Sequence, residues 1–251
     1  MNKFDINRME ADPVLQQASM KFGTTTMSST KAFTVLMRNV YTWMTLALVI
    51  TALTALYMTK NLALMQTLIG SSFGVWGLLI AQVAVVIILT ARLNRMSFTT
   101  AGLLFALYSI LTGVTVSSVF MVFTASSIAS TFFITAGTFG AMSLIGYVTK
   151  KDLTGMGKFL MMALIGLIIA SVVNMFMHST MLMWITSYVG VLLFVGLTAY
   201  DTQKIKHMLM IHGNEVNDST MKLALMGSLT LYLDFINLFL YLIQIFGSRD
   251  E

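Results

Sequence analysis

The 251-residue chain has no cysteine, a single proline (Pro13) and only 10% charged residues. The first absence removes disulfides, thiol catalysis and thiolate-bound metals, and says nothing decisive about compartment. The second means that a broken helix anywhere beyond residue 13 has to rely on glycine or serine. The third excludes a soluble globular protein. Soluble domains carry roughly 25% charged residues, whereas this chain is 57% hydrophobic and has a strongly positive mean hydropathy.

What is present instead is apolar length. A membrane-crossing helix needs about 20 mostly apolar residues. Windows of that length fall at 36–58, 73–91, 99–123, 126–148, 159–177, 181–200 and 223–246, and the second could extend back through 62–72. Short connections leave one all-α polytopic membrane domain at 33–251, behind a polar segment at 1–32. That segment contains Asp5, Glu10 and Asp12 and no apolar core, so it matches neither a signal peptide nor a transit peptide. It reads as a cytoplasmic tail, partly disordered or lying on the membrane surface, with 24–30 its most flexible part.

The net charge of +5 is a topology signal and does not indicate nucleic acid. With loops assigned alternately from an inside N-terminus, 13 of the 15 Lys and Arg fall on the inner side. Only Lys60 and Arg249 fall outside, a clear positive-inside bias. Seven crossings leave the C-terminus outside, whereas a re-entrant last segment would return it to the inside.

Lipid supplies no hydrophobic force between helices, so small residues carry the close crossings. Gly102, Ala106, Ser109, Gly113 and Ser117 share a face of the third span. Ala136, Gly137, Gly140 and Ala141 cluster in the fourth, and Gly190 and Gly196 lie in the sixth. Generic packing accounts for any one of them. The 22 methionines read as adaptable core filler rather than a metal path. No internal repeat supports an inverted-repeat transporter.

The seventh span holds the one charge at depth. Asp234 lies near the middle of 223–246, where a carboxylate costs about 2.5–3.5 kcal/mol on insertion scales. Helical steps from it reach Gly227, Thr230, Asn237, Tyr241 and Gln244, a polar stripe along one side. A helix carrying such a stripe belongs inside the bundle, facing a cavity or a partner helix. A second acid, Asp201, closes the sixth span, where a helix C-terminus disfavours negative charge. Asp152, Glu215 and Asp218 read as solvated, and His178, His207 and His212 as passive. No histidine–carboxylate spacing resembles a zinc site.

The segments Gly196-Leu-Thr-Ala-Tyr-Asp-Thr-Gln-Lys-Ile-Lys206 and Ala224-Leu-Met-Gly-Ser-Leu-Thr-Leu-Tyr-Leu-Asp-Phe-Ile-Asn-Leu-Phe239 resemble the Bax inhibitor-1 family, in particular its bacterial seven-span branch. The likeness extends more loosely from about Arg38 onward, including Ala91-Arg-Leu-Asn-Arg-Met-Ser97. It implies a last helix at the centre of the other six and a bacterial inner-membrane location. It also implies an aspartate pair, here Asp201 and Asp234, acting as a pH-sensitive latch on a calcium leak. In similar proteins a second-span arginine joins the closed latch. Arg92 is the first candidate and Arg95 the second, and both serve equally well as positive-inside anchors. Gln82 stands where some relatives carry an acid. The family is further linked to control of a membrane protease in some bacteria.

Physical chemistry supports a latch without the name. Two carboxylates held close in low dielectric cannot both ionise cheaply, so they share a proton. Calcium takes six to eight oxygen ligands. Asp201 and Asp234 supply only part of that set, with Asn237, Thr198, carbonyls and water as additions, which suits weak, transient binding in a leak. Thr198, Thr230, Asn237 and Tyr241 are the polar residues expected to line the cavity. No resident cofactor is implied. Other readings stay open: a non-transporting regulator that binds a protease or another membrane protein, and a proton-coupled cation exchanger. An intramembrane aspartyl protease is disfavoured because Leu231-Tyr-Leu precedes Asp234 where that class has Gly-x-Gly. A retinal receptor is disfavoured because Lys222 lies only at the mouth of the last span.

Overall fold

The computed structural model describes residues 13–248, with side-chain surroundings from residue 29 onward except at Leu62 and Ser72. The expected tail at 1–32 therefore lies partly outside the described residues. Its remainder is helical, because α1 (Pro13–Lys60) runs unbroken through 24–30, the stretch read as most flexible. The helix opens on proline, whose missing N–H is unneeded in a first turn.

Seven helical segments are long and apolar enough to cross a membrane. They are α1, α3 (Ser72–Arg92), α4 (Phe98–Val116) with the short α5 (Val119–Val122), α6 (Ala125–Val148), α7 (Thr154–Met177), α8 (Thr180–His212) and α9 (Asp218–Phe246). Five begin on side-chain caps. Ser71, Ser97, Thr124, Ser179 and Asn217 each accept a first-turn backbone N–H, satisfying a donor the helix leaves unpaired.

Three boundaries differ from the hydropathy windows. Residues 62–72 do not lengthen the second span; Leu62–Ile69 forms a separate helix, α2, and Ser71 restarts the chain. The third window breaks at Ser117 and Ser118, whose hydroxyls donate to the Val114 and Thr115 carbonyls (2.6 and 2.8 Å). Such back-bonding competes with the helix ladder. The sixth continues to His212, a 33-residue helix of about 50 Å that outruns the hydrocarbon core. The apolar window ends at Tyr200, but nothing interrupts the backbone before Gly213.

α9 is the central helix. It packs on α8, α1, α6 and α4, while α3 leans on α4 and α7 on α8 as an outer layer. The apolar window of α9 is 56% buried, against 11% for α3 and for α7. Gly102 sits against Trp43, and Gly113 against Thr51 and Thr54, so α4 approaches α1 closely. In α6 the close crossing belongs to Gly146, where a Cβ would strike the Ala199 carbonyl of α8; Gly137 and Gly140, the expected contacts, face open space.

The two ends of α9 are tied to opposite ends of the bundle. At its start Lys222 pairs with Asp218 (2.9 Å) and donates to the Met96 carbonyl (3.2 Å), beside the start of α4. Beyond its end, the Ser248 carbonyl accepts from the Thr124 N–H, and the Ser248 N–H donates to Ser127 Oγ, both at 3.0 Å. Those partners stand where α6 begins, so the last helix makes a full crossing rather than a re-entrant one.

Candidate functional site

The antiparallel pairing of α8 and α9 builds the site. Ser187 donates to Gln244 Oε1 (2.7 Å), Gly190 leaves room for the Tyr241 ring, Phe194 stacks on that ring, and Ile205 meets Gly227. This register sets Asp201 opposite Thr230, about one helical turn from Asp234. The helix extends some three turns beyond Asp201, so the acid does not face the negative end of a helix dipole as its position after the last apolar run implied.

Asp201 and Asp234 line one cavity of about 470 Å³, together with Thr230, Asn237 and Tyr241 of α9. Its third wall is α7, through Leu164, Leu167, Ile168 and Ser171. Because α7 packs on α8 without closing onto α9, the gap between them is the cavity. A water takes about 30 Å³ of liquid volume, so there is room for several. The lining is chiefly apolar with a few converging oxygens, the usual make-up of a small-ligand site.

The two acids are 9% and 4% exposed, and Asp234 Oδ2 has no hydrogen-bond partner among the described residues. The neighbouring polar groups turn back to their own helix. Thr230 donates to the Met226 carbonyl (3.2 Å) and Asn237 to the Leu233 carbonyl (2.8 Å). Thr198 is wholly buried, donates to the Phe194 carbonyl (2.7 Å) and is not among the lining residues. Beside Asp201, Thr202 bonds Ser143 (3.1 Å), which in turn bonds the Tyr41 hydroxyl (2.6 Å) and so joins α8, α6 and α1.

Arg92 and Arg95 are elsewhere. Both are exposed, in the last turn of α3 and the 3-10 turn after it, and neither lines the cavity. That turn touches the beginning of α9, where Lys222 lies about 18 Å along the axis from Asp234. Among the described residues, no group of three or more His, Cys, Asp or Glu could hold a metal ion. The oxygens available to a cation are those of the two acids and their neighbours.

The sequence model described as "Inhibitor of apoptosis-promoting Bax1" matches residues 34–251. The chain belongs to the Bax inhibitor-1 family. Inner membrane protein YbhL of Escherichia coli K12 is 53% identical over 213 residues, covering 85% of this chain and 91% of that one. Protein RP147 of Rickettsia prowazekii is 44% identical over 231 residues, covering 90% and 97%. A Borreliella burgdorferi protein is 45% identical over 212 residues, covering 84% and 90%.

Two features of this Bax inhibitor-1 protein, one in the site and one on the opposite flank of α9, carry no signal in the sequence. Ser171 and the apolar wall of α7 carry no polar stripe, and only the packing shows that α7 covers the acids. Tyr232 stands between the polar positions of α9 and bonds the Thr51 hydroxyl (2.6 Å) across 181 residues of sequence. The Leu-Tyr-Leu-Asp pattern contains it but gives no sign of that partner.

Proposed function

We propose that this multi-pass membrane protein is a pH-sensitive calcium leak, gated by a proton shared between Asp201 and Asp234. One observation carries the reading: two nearly buried carboxyls from different helices line a single cavity, and Asp234 Oδ2 is left without a protein partner. An ionisable group kept at that depth costs free energy, so it marks a working site. With one proton between them the acids clamp α8 to α9; with none, their repulsion loosens the pair and opens oxygens to a cation. The ligand set is poor for storage and suited to transient passage. The basic residues favour a cytoplasmic N-terminus, and the name of the E. coli relative favours an inner membrane.

The test is calcium flux into liposomes holding the purified full-length protein, measured against pH. Asp234→Asn keeps the shape and removes the titration, so its flux should no longer change with pH. An unchanged pH profile defeats the latch. Absence of flux in the parent, with a stably co-purifying membrane protease, supports the regulator instead. Proton counter-movement in step with calcium supports an exchanger.

A further inference from the structure

A second opening lies on the other flank of α9. α1 and α6 each pack on α9 but hardly on each other, which leaves a fissure between them. Toward the basic end it widens into a groove of about 510 Å³, lined by Arg38, Tyr41, Phe139, Gly140, Ser143 and Tyr147. Deeper, it becomes an apolar cavity of about 420 Å³ with Ala52, Ala129, Phe132 and Phe235 among its walls. The floor is continuous, because Phe235 meets Phe139 on one side and Phe132 on the other (ring centroids 5.5 and 5.6 Å apart).

The chemistry of the fissure is graded. At the mouth, the Arg38 guanidinium is exposed and forms no ion pair among the described residues. Lys206 reaches the lining residue Tyr147, donating to its carbonyl (2.7 Å) and lying over its ring at 4.9 Å. No acidic residue lines either cavity. Inward, the walls turn almost wholly apolar. From Arg38 to Ala52 is about 21 Å along α1, roughly the depth of one bilayer leaflet with its headgroups. Gly140 of α6 lines the groove, and a Cβ there would meet nothing, so the groove is open at that point. A cationic mouth, tyrosines at headgroup level and an apolar channel one leaflet deep match a single molecular shape.

We propose that the α1–α6 fissure seats one anionic glycerophospholipid, with its phosphate on Arg38 and an acyl chain over Phe235. A free phosphate would leave the apolar cavity unfilled, and a zwitterionic lipid would bring its own cation to the mouth. The headgroup then rests on Tyr41, which leads through Ser143 to Thr202, the neighbour of Asp201. The site itself requires no assumption about ion conduction.

The test is native mass spectrometry of the full-length protein in detergent, titrated separately with dioleoyl phosphatidylglycerol and dioleoyl phosphatidylcholine. Phosphatidylglycerol should bind about fivefold or more tightly than phosphatidylcholine, the gain from one basic side chain near an anionic headgroup. Arg38→Gln should remove that preference, while Arg95→Gln, outside the fissure, should keep it. Gly140→Leu gives α6 a better helix former and blocks the groove, so it should lose the bound lipid without a lower melting temperature. Ala129→Trp should weaken the dioleoyl lipid yet retain the dihexanoyl one. Equal affinity for the two headgroups, an undiminished preference in Arg38→Gln, or unchanged binding in Gly140→Leu overturns the proposal. So does a delipidated protein that dimerises through this face, with Gly140→Leu dispersing the dimer, because a second copy is then the occupant.

Discussion

Tyr232 and Asp234 lie two positions apart on α9, on opposite sides of the helix, and are 0% and 4% exposed with contrasting surroundings. The Tyr232 hydroxyl lies 2.6 Å from Thr51 Oγ1, which donates to the Ser109 carbonyl at 3.0 Å. Its ring meets Phe105 and Tyr108 edge-on at 5.6 and 5.9 Å. That flank is a closed seam joining α1, α4 and α9, with its polar atoms paired. Asp234 looks instead into the cavity under α7, with no partner for Oδ2 among the described residues. Buried polar groups are nearly always bonded, so an acid with no partner among the described residues marks its flank as open, against the closed flank of the bonded tyrosine. One helix carries both, according to flank.

The largest effect that would break this comparison is on the closed side. Tyr232→Ala should cost about 3–5 kcal/mol, the usual loss on truncating a buried aromatic, read from unfolding in detergent; a loss below about 1 kcal/mol would mean the seam contributes little. Gly146→Val comes next, at about 1–3 kcal/mol, because its side chain must displace the α8 backbone. Tyr232→Phe isolates the hydroxyl and should cost only about 0.6 kcal/mol, the average for a hydrogen bond between membrane helices. On the open side the expectation reverses. Asp234→Asn supplies an amide donor that can hold the Asp201 carboxylate without a titrating proton, and it forfeits no other protein partner at Oδ2. Its stability should therefore match or exceed the parent's even as the pH response of flux disappears. A large destabilisation by Asp234→Asn would place the acid in the scaffold after all.

The unequal legibility of the two flanks has a physical cause. Hydropathy marks where lipid must be, so the seven crossings could be read from composition alone. It is silent once a helix leaves the bilayer, which is why α8 seemed to end near Asp201 when it runs to His212. The stripe from Thr230 through Asp234 to Tyr241 follows from helical period, and the cavity collects those residues. The partners across it do not follow, because α7 contributes apolar side chains indistinguishable from lipid-facing ones. Thr198 shows the same limit. Periodicity sets it near the acids, but its hydroxyl is taken by the backbone one turn earlier.

The smallest effect sharpens the contrast with a carboxylate outside the membrane. Asp152 lies in the loop before α7, where Oδ1 accepts both the Thr154 hydroxyl (2.6 Å) and the Thr154 N–H (2.9 Å). Those two bonds hold its carboxyl below the ordinary aspartate value of 3.8. A folded-state value below the unfolded one stabilises the protein fully above the unfolded value, and the contribution fades as pH falls through the folded one. Asp152→Ala should therefore melt slightly below the parent near neutrality, with the gap constant down to about pH 4 and closing under it. Calcium flux and its pH profile should stay as in the parent. A gap that instead persists below pH 3 would mean the loop is held by packing and not by the charged cap. Asp152→Ala thus alters stability and spares flux, Asp234→Asn does the reverse, and the pair divides the acids by whether the fold has already answered them.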